Sequence, residues 1–260
     1  MLYVVATPIG NLGDITLRAI ETLTACDFVI AENPNYSKRL LQYIDSLPVI
    51  ARIPSAVEGD EAISIQGKIA STYAEASADR SAALAKKEIV QFAEHNEQQV
   101  VKDLTRRLQK SDGCLITDAG TPGISDPGFR LVRECVKEKV QVVPIPGASA
   151  SIAALSASGL PTDRFLFLGF LQKTAIKSVE ALEAAQQAGA TAIFYESAER
   201  ILKTLNYIAN AFPTSQVVVA RELTKMHEEF IRGTPMQVSD ELKKRQSIKG
   251  ELTVLISFKS

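Results

Sequence analysis

The eleven residues 118–128, Asp-Ala-Gly-Thr-Pro-Gly-Ile-Ser-Asp-Pro-Gly, hold three glycines and two prolines between an apolar run and an amphipathic one. Gly120, Gly123 and Gly128 can take positive φ and let a ligand approach bare backbone, while Pro122 and Pro127 stiffen the loop before anything binds. Leu115 and Ile116 read as the end of a strand and 129–136 as a helix, with Asp126 as its N-cap and Pro127 at its first position. A loop at the carboxyl end of a parallel strand, feeding a helix N-terminus, is where open α/β sheets bind ligands. The same pattern also describes a tight strand-to-helix turn that binds nothing.

Turns of the same kind close other apolar runs: Thr7-Pro8-Ile9-Gly10-Asn11, Glu32-Asn33-Pro34-Asn35 and Pro146-Gly147-Ala148-Ser149-Ala150. In a doubly wound sheet such turns share one edge and can hold a cofactor through main-chain N–H and C=O groups. A second set lies later, at Gly169-Phe170-Leu171, Tyr195-Glu196-Ser197 and 220–229, and a ligand at the mouth between two domains would meet both sets. No G-x-G-x-x-G follows the first run, and neither a P-loop nor a G-x-S-x-G nucleophile turn occurs. His95 and His227 are too few to build a zinc site, so no metal is expected.

These turns must be positioned by the elements around them. Apolar runs at 2–6, 28–31, 89–92 and 140–144 read as strands, and periodic segments after them as helices, with Asp14 capping the first and Ser37 opening the second. This alternation predicts an α/β domain with a parallel sheet covered on both faces over 1–159. Residues 46–88, alanine-rich with few large apolar anchors, read as an inserted helical excursion. Gly159-Leu160-Pro161-Thr162 reads as the joint to a second α/β domain over 160–260, where a close strand pair near Gly233 and a final strand at 252–258 predict a mixed sheet.

Lysine and arginine number 29 against 30 aspartates and glutamates, a net charge of −1, so no global field draws nucleic acid and any such contact needs a local basic patch. The three cysteines, Cys26, Cys114 and Cys135, lack metal-type spacing and read as core thiols. No apolar run is long enough to cross a bilayer, and Met1 leads straight into a strand, so a cytoplasmic protein without membrane contact is expected.

Residues 4–12, 118–128, 144–150, 155–165 and 220–229 together resemble the tetrapyrrole (corrin/porphyrin) methylase superfamily, in particular its branch acting on small-subunit ribosomal RNA. The resemblance covers nearly the whole chain except 46–88, and its most specific elements are Thr7 to Asn11, the loop 118–128 and Arg221-Glu222-Leu223-Thr224-Lys225. It implies a two-domain fold, a homodimer, and S-adenosyl-L-methionine bound between the domains. The reaction it implies is methylation of a cytidine ribose 2′-hydroxyl in 16S rRNA, as free RNA or in the 30S subunit. Carried over by position, the cofactor would rest on Pro8, Gly10, Ala119, Gly120, Thr121, Pro122, Gly123, Ile124 and Ser125, and on Gly147, Ala148 and Ser149. Phe170, Tyr195, Ala220 and Arg221 would cover it from the second domain. A ribose hydroxyl invites a general base, for which Lys225, His227 and Glu228 are the candidates, with His95 and Glu97 opposite. Lys38, Arg39, His95 and Arg232 would meet the RNA, and Arg221 would pair with either an acid or a phosphate. The chain departs from the family at 33–37, usually Asp-Thr-Arg-His-Thr, and at 198–199, usually Pro-His. Other readings of the same residues are a methylase of a tetrapyrrole-like molecule or of a protein, and a cofactor-binding protein without turnover.

Overall fold

Short apolar runs without alternation become strands buried on both sides of a parallel sheet. Strands β1 (Leu2–Val5), β2 (Phe28–Ala31), β3 (Ile89–Gln91), β4 (Gly113–Ile116) and β5 (Val142–Ile145) behave so: β2 and β4 are buried at every residue. The computed structural model describes residues 1–47, 84, 86–93, 95–172 and 174–258, so most of the insertion expected over 46–88 lies outside the described residues. The five strands form one sheet of order β3-β2-β4-β1-β5, in which every pairing is parallel.

From β1 the chain moves outward to β2 and β3, then returns through β4 to β5 on the far side. Right-handed crossovers therefore place α1 (Leu17–Ala25) and α2 (Pro34–Ser46) on one face and α3 (Glu97–Leu108) and α4 (Phe129–Lys137) on the other. The two cores follow this division. Ile20, Leu23, Leu41 and Ile44 pack with Val5, Val29 and Ile116, whereas Leu104, Leu108, Leu131 and Cys135 pack with Leu2, Phe28, Ile30 and Leu115. Neighbouring strands β1 and β4 send their connections in opposite directions, which opens a crevice at their carboxyl ends.

Helix starts differ from the expected ones for a definite reason. Thr16, not Asp14, caps α1, its hydroxyl accepting the Ala19 N–H at 3.1 Å. Asn33 caps α2 by accepting from Asn35 and Tyr36, with Pro34 in the first turn, so the helix begins ahead of Ser37. At α4 the capping residue is Gly128, and Asp126 does not cap it.

The chain divides into two compact units, Met1–Ala148 and Ser149–Ser260. In the second, β6 (Phe165–Phe170), β7 (Thr191–Ser197), β8 (Gln216–Arg221), β9 (Glu229–Gly233) and β10 (Glu251–Ser257) form a sheet of order β6-β7-β10-β8-β9. Only β6 with β7 is parallel, so the sheet is mixed. Helices α6 (Ala175–Gln187), α7 (Ile201–Ala211) and α8 (Pro235–Lys243) bury Leu182, Leu205, Ile208, Val238 and Leu242 against Phe194, Val219 and Val254. Helix α5 (Ala150–Ser158) packs on β7, β8 and β10 outside that cluster, covering the other face. This packing moves the boundary from the expected joint near Gly159 to the residues before α5.

Cys26, Cys114 and Cys135 are free and buried, as core thiols should be. Among the described residues no helix is long and apolar enough to cross a membrane.

Candidate active site

Where β1 ends, Thr7 and Gly120 exchange backbone hydrogen bonds, the Thr7 N–H donating at 2.8 Å and the Gly120 N–H at 3.1 Å. Thr7 Oγ1 also donates to the Thr117 carbonyl at 3.1 Å. The turn after β1 and the loop after β4 are thereby one rim across the crevice. Gly120 holds φ at +81°, a conformation that side-chain-bearing residues rarely adopt. The third turn closes onto the same rim. A Cβ on Gly147 would stand 3.0 Å from that of Ala6, and Thr121 Oγ1 donates to the Ala148 carbonyl at 3.3 Å.

The loop is ordered by its own bonds: the Gly123 N–H donates to Pro127 at 3.2 Å and the Ile124 N–H to Thr121 at 3.3 Å. Ser125 is held at φ +64°, a strained value of the kind that collects at binding loops. Pro8, Gly120 and Pro122 are buried, Ala119, Thr121, Gly123 and Ala148 half-buried, and Gly10, Ile124, Ser125 and Gly147 exposed. The rim therefore offers ordered main chain and little side chain to a ligand. That suits a flat, neutral-to-cationic molecule read by backbone groups. Ser149 begins the second unit as the residue before α5, its Oγ 3.1 Å from Ser151 Oγ.

Carboxylates converge beside the rim. Burial, then the charges of Glu32 and Asp118, push the Asp126 carboxyl up to about 6. Burial also raises Asp118, opposed by a hydrogen bond from the Asn33 backbone. An acid with a higher pKa folded than unfolded holds its proton in the folded state between about 4 and 6, and its ionised form opposes folding above that window. This contribution destabilises at neutral pH and fades as pH falls. Asp126→Asn should accordingly raise the melting temperature by a few degrees at about pH 7.5 and leave it nearly unchanged at about pH 4.5, read by calorimetry. A lower melting temperature at the higher pH would mean that the ionised carboxylate holds the loop.

In the second unit, Tyr195 sits between Phe167 and Phe170, with ring centroids 5.1 and 5.6 Å away and edge-to-face geometry. Phe170 is exposed and belongs to β6, beyond a register shift after Phe167, where the sequence predicted a turn. Ala220 is buried in β8. Arg221 is paired with an acid: its Nε bonds Glu229, and its Nη1 donates to the Lys249 carbonyl at 2.8 Å. Glu229 also takes both Nη groups of Arg245, and these bonds, Arg245 first and Arg221 next, outweigh burial and hold its carboxyl down at about 2.

The candidate bases share the turn between β8 and β9. Lys225 Nζ lies 3.0 Å from Glu222 and 2.9 Å from Glu251. Burial disfavours its charge, but the bonds to Glu251 and Glu222 outweigh this and raise its pKa, so it stays cationic. Glu228 accepts the Thr224 N–H at 2.6 Å, and both His227 and Glu228 are exposed. Of the expected RNA contacts, Lys38 and Arg39 are exposed on α2 and His95 is exposed just before α3. Arg232 is committed inside the second unit, donating to the Ala157 and Ser158 carbonyls at 2.7 and 3.1 Å and so closing the end of α5. Glu97 is buried and paired with Arg130 at 3.1 Å. Ser37, which the sequence places at a helix start inside the divergent segment 33–37, and Thr117, which no motif singles out, line a pocket with Thr7, Pro8, Gly10 and Asp118.

Residues 1–238 match the family described as Tetrapyrrole (Corrin/Porphyrin) Methylases. The chain is 40% identical over 256 residues to ribosomal RNA small subunit methyltransferase I of Hydrogenobaculum sp., covering 98% of this chain and 95% of that one. It is 38% identical over 256 residues to the protein of that name from Halalkalibacterium halodurans, covering 98% and 75%. Among solved structures, diphthine synthase superposes with a TM-score of 0.64 at 15% identity over 98% of this chain and 89% of that one, a likeness of fold. The chain belongs to the tetrapyrrole methylase family, and within it to the ribosomal RNA small subunit methyltransferase I group.

Proposed function

We propose that the protein methylates the ribose 2′-hydroxyl of a cytidine in 16S rRNA, presented as the 30S subunit. S-adenosyl-L-methionine is the methyl donor of its family, and when bound it supplies an electrophilic methyl group on a sulfonium. The observation that best supports the reading is the bare-backbone rim at the crevice between β1 and β4. Pro8, Gly10, the main chain from Ala119 to Ser125, and Gly147 to Ser149 would hold the donor. The share of Phe170, Tyr195, Ala220 and Arg221 rests on the resemblance alone. Glu32, Asp118 and Asp126 give that edge a negative potential, which favours a cationic ligand.

Positioning dominates such a transfer, because the reactive bond belongs to the donor. The chain's remaining tasks are to hold the RNA and to accept the hydroxyl proton. Lys38 and Arg39 present charge to phosphates. Lys225, locked between two carboxylates, is a poor proton acceptor, and Glu97 is buried against Arg130, so His227 and Glu228, with His95 opposite, remain for that task. The homodimer and the cytoplasmic location are carried by the resemblance.

The test is transfer of a labelled methyl group to 30S subunits from a strain lacking the modification, with the product nucleoside identified by mass. Label on the ribose of one cytidine is expected; label on protein, on a small macrocycle, or on nothing would contradict the reading. His227→Ala or Glu228→Gln should lower the transfer rate by about 10²–10⁴-fold, while donor affinity stays unchanged. Less than about a tenfold loss in both would place the proton acceptor elsewhere.

A further inference from the structure

Three buried oxygens without a hydrogen-bond partner among the described residues belong to side chains that line one pocket of the first unit. They are Oγ of Ser37, Oγ1 of Thr117 and Oδ1 of Asp118. Ser37 is 2% exposed and Thr117 3% exposed, so neither side chain reaches bulk water. A buried polar atom left unpaired costs about 1–3 kcal/mol, and three at one spot mark a place where a ligand's polar atoms belong.

Their positions follow from the sheet. Thr117 and Asp118 leave the end of β4, and Ser37 comes from the first turn of α2, which the Asn33 cap anchors. The Asn33 backbone lies close enough to the Asp118 carboxyl to oppose the rise in its pKa, while Oδ1 has no hydrogen-bond partner among the described residues. Pro8, Leu12, Tyr36 and Leu40 supply apolar walls, and Tyr36 is 48% exposed, available for stacking. The pocket is open to solvent and its cavity volume is about 30 Å³, a space for a thin or small group at its mouth. Pro8 and Gly10 belong both to this pocket and to the rim assigned to the donor.

The donor and acceptor pattern narrows the ligand. An ionised carboxylate only accepts, whereas two hydroxyls can donate. A planar ring with one amine beside two acceptors matches this set, and cytosine has that edge: N4 amine, N3 and O2. Building on the RNA reading above, we propose that this pocket receives the base of the target cytidine, turned out of its stack, with Asp118 accepting from the N4 amine and the Ser37 and Thr117 hydroxyls donating to N3 and O2. Uracil would set its O4 against the Asp118 carboxylate and its N3–H against a donor. A site built to bond an amine rejects the analogue lacking it, because its buried atoms stay unpaired.

The experiment compares transfer to 30S subunits carrying the mapped target cytidine with transfer to subunits carrying uridine there. The wild type should favour cytidine, and Asp118→Asn, which keeps the shape, should reduce that preference by roughly tenfold or more. Ser37→Ala and Thr117→Val should each lower kcat/KM on cytidine by about five- to tenfold without lowering the melting temperature, since the hydroxyls they remove have no partner in the fold. Affinity for S-adenosyl-L-methionine, by titration, should stay within about twofold in Ser37→Ala and Thr117→Val, whose hydroxyls carry no charge toward the donor. A loss of donor affinity in these two variants that parallels their loss of transfer would assign the pocket to the donor and overturn the proposal. Lowered melting temperatures with unchanged cytidine preference would make it structural, also overturning it. Transfer by the wild type with no change of preference in Asp118→Asn overturns this proposal alone, whereas no transfer to 30S by the wild type overturns the RNA reading with it.

Discussion

Gly120→Val should bind S-adenosyl-L-methionine at least about a hundredfold more weakly than the wild type in isothermal titration. Space is not the obstacle, for the nearest atom to an added Cβ is Ile9 Cγ2 at 3.5 Å. The conformation is. A β-branched residue at φ +81° carries roughly 1–3 kcal/mol of strain, which the backbone relieves by turning away. That rotation breaks the paired bonds to Thr7, the contact that keeps the turn after β1 and the loop after β4 in register. Stability should fall only by that strain, so the folded variant can be titrated well below its transition. Unchanged affinity in a folded Gly120→Val would detach the rim from the donor.

Arg200→Ala should destabilise the protein by about 3 kcal/mol in urea unfolding, a large loss for a partly exposed side chain. Glu196, 3% exposed, accepts from Ser197 N–H at 2.8 Å and from Thr204 Oγ1 at 2.6 Å, and its remaining partner is the Arg200 guanidinium at 3.4 Å. The same guanidinium bonds the Leu171 and Gln172 carbonyls, each at 3.1 Å, and so ties the segment after β6 to α7. Removing it strands a buried carboxylate. Glu196→Gln in the Arg200→Ala background should recover part of the loss, because the amide carries no charge to strand. Simple additivity of the two changes would show that Glu196 does not depend on Arg200.

Glu196 stands in a turn that the sequence places where a ligand would meet it, yet its partners lie inside the second unit. Lys225 is a similar case. Its neighbours in sequence suggest a base or a phosphate contact, while its second carboxylate, Glu251, comes from β10 and has no local signature. An asparagine or aspartate before a proline occurs twice at helix starts, with opposite results. Asn33 reaches the Asn35 and Tyr36 N–H groups and caps α2. Asp126 is instead half-buried near Glu32 and Asp118, whose charges disfavour its own, and Gly128 occupies the N-cap position of α4. Local pattern names the signature, and tertiary surroundings decide its use.

The strands were legible because unbroken apolar runs of four residues have few alternatives in an alternating α/β chain. The rim was legible because glycine and proline state their backbone geometry directly. The membership of α5 was not, since a helix of small residues does not announce which sheet it covers. Nor was the pocket, whose Ser37 and Thr117 are eighty positions apart and each resemble an ordinary cap or strand-end residue.

A crystal structure of the full chain grown with S-adenosyl-L-methionine shows whether the glycine rim holds the donor. The cofactor should lie along the main chain from Ala119 to Ser125 and against Gly147 and Ala148, with Pro8 and Gly10 beside it. Density for the cofactor at any other place, with the loop after β4 untouched, would mean that the rim does not bind the donor.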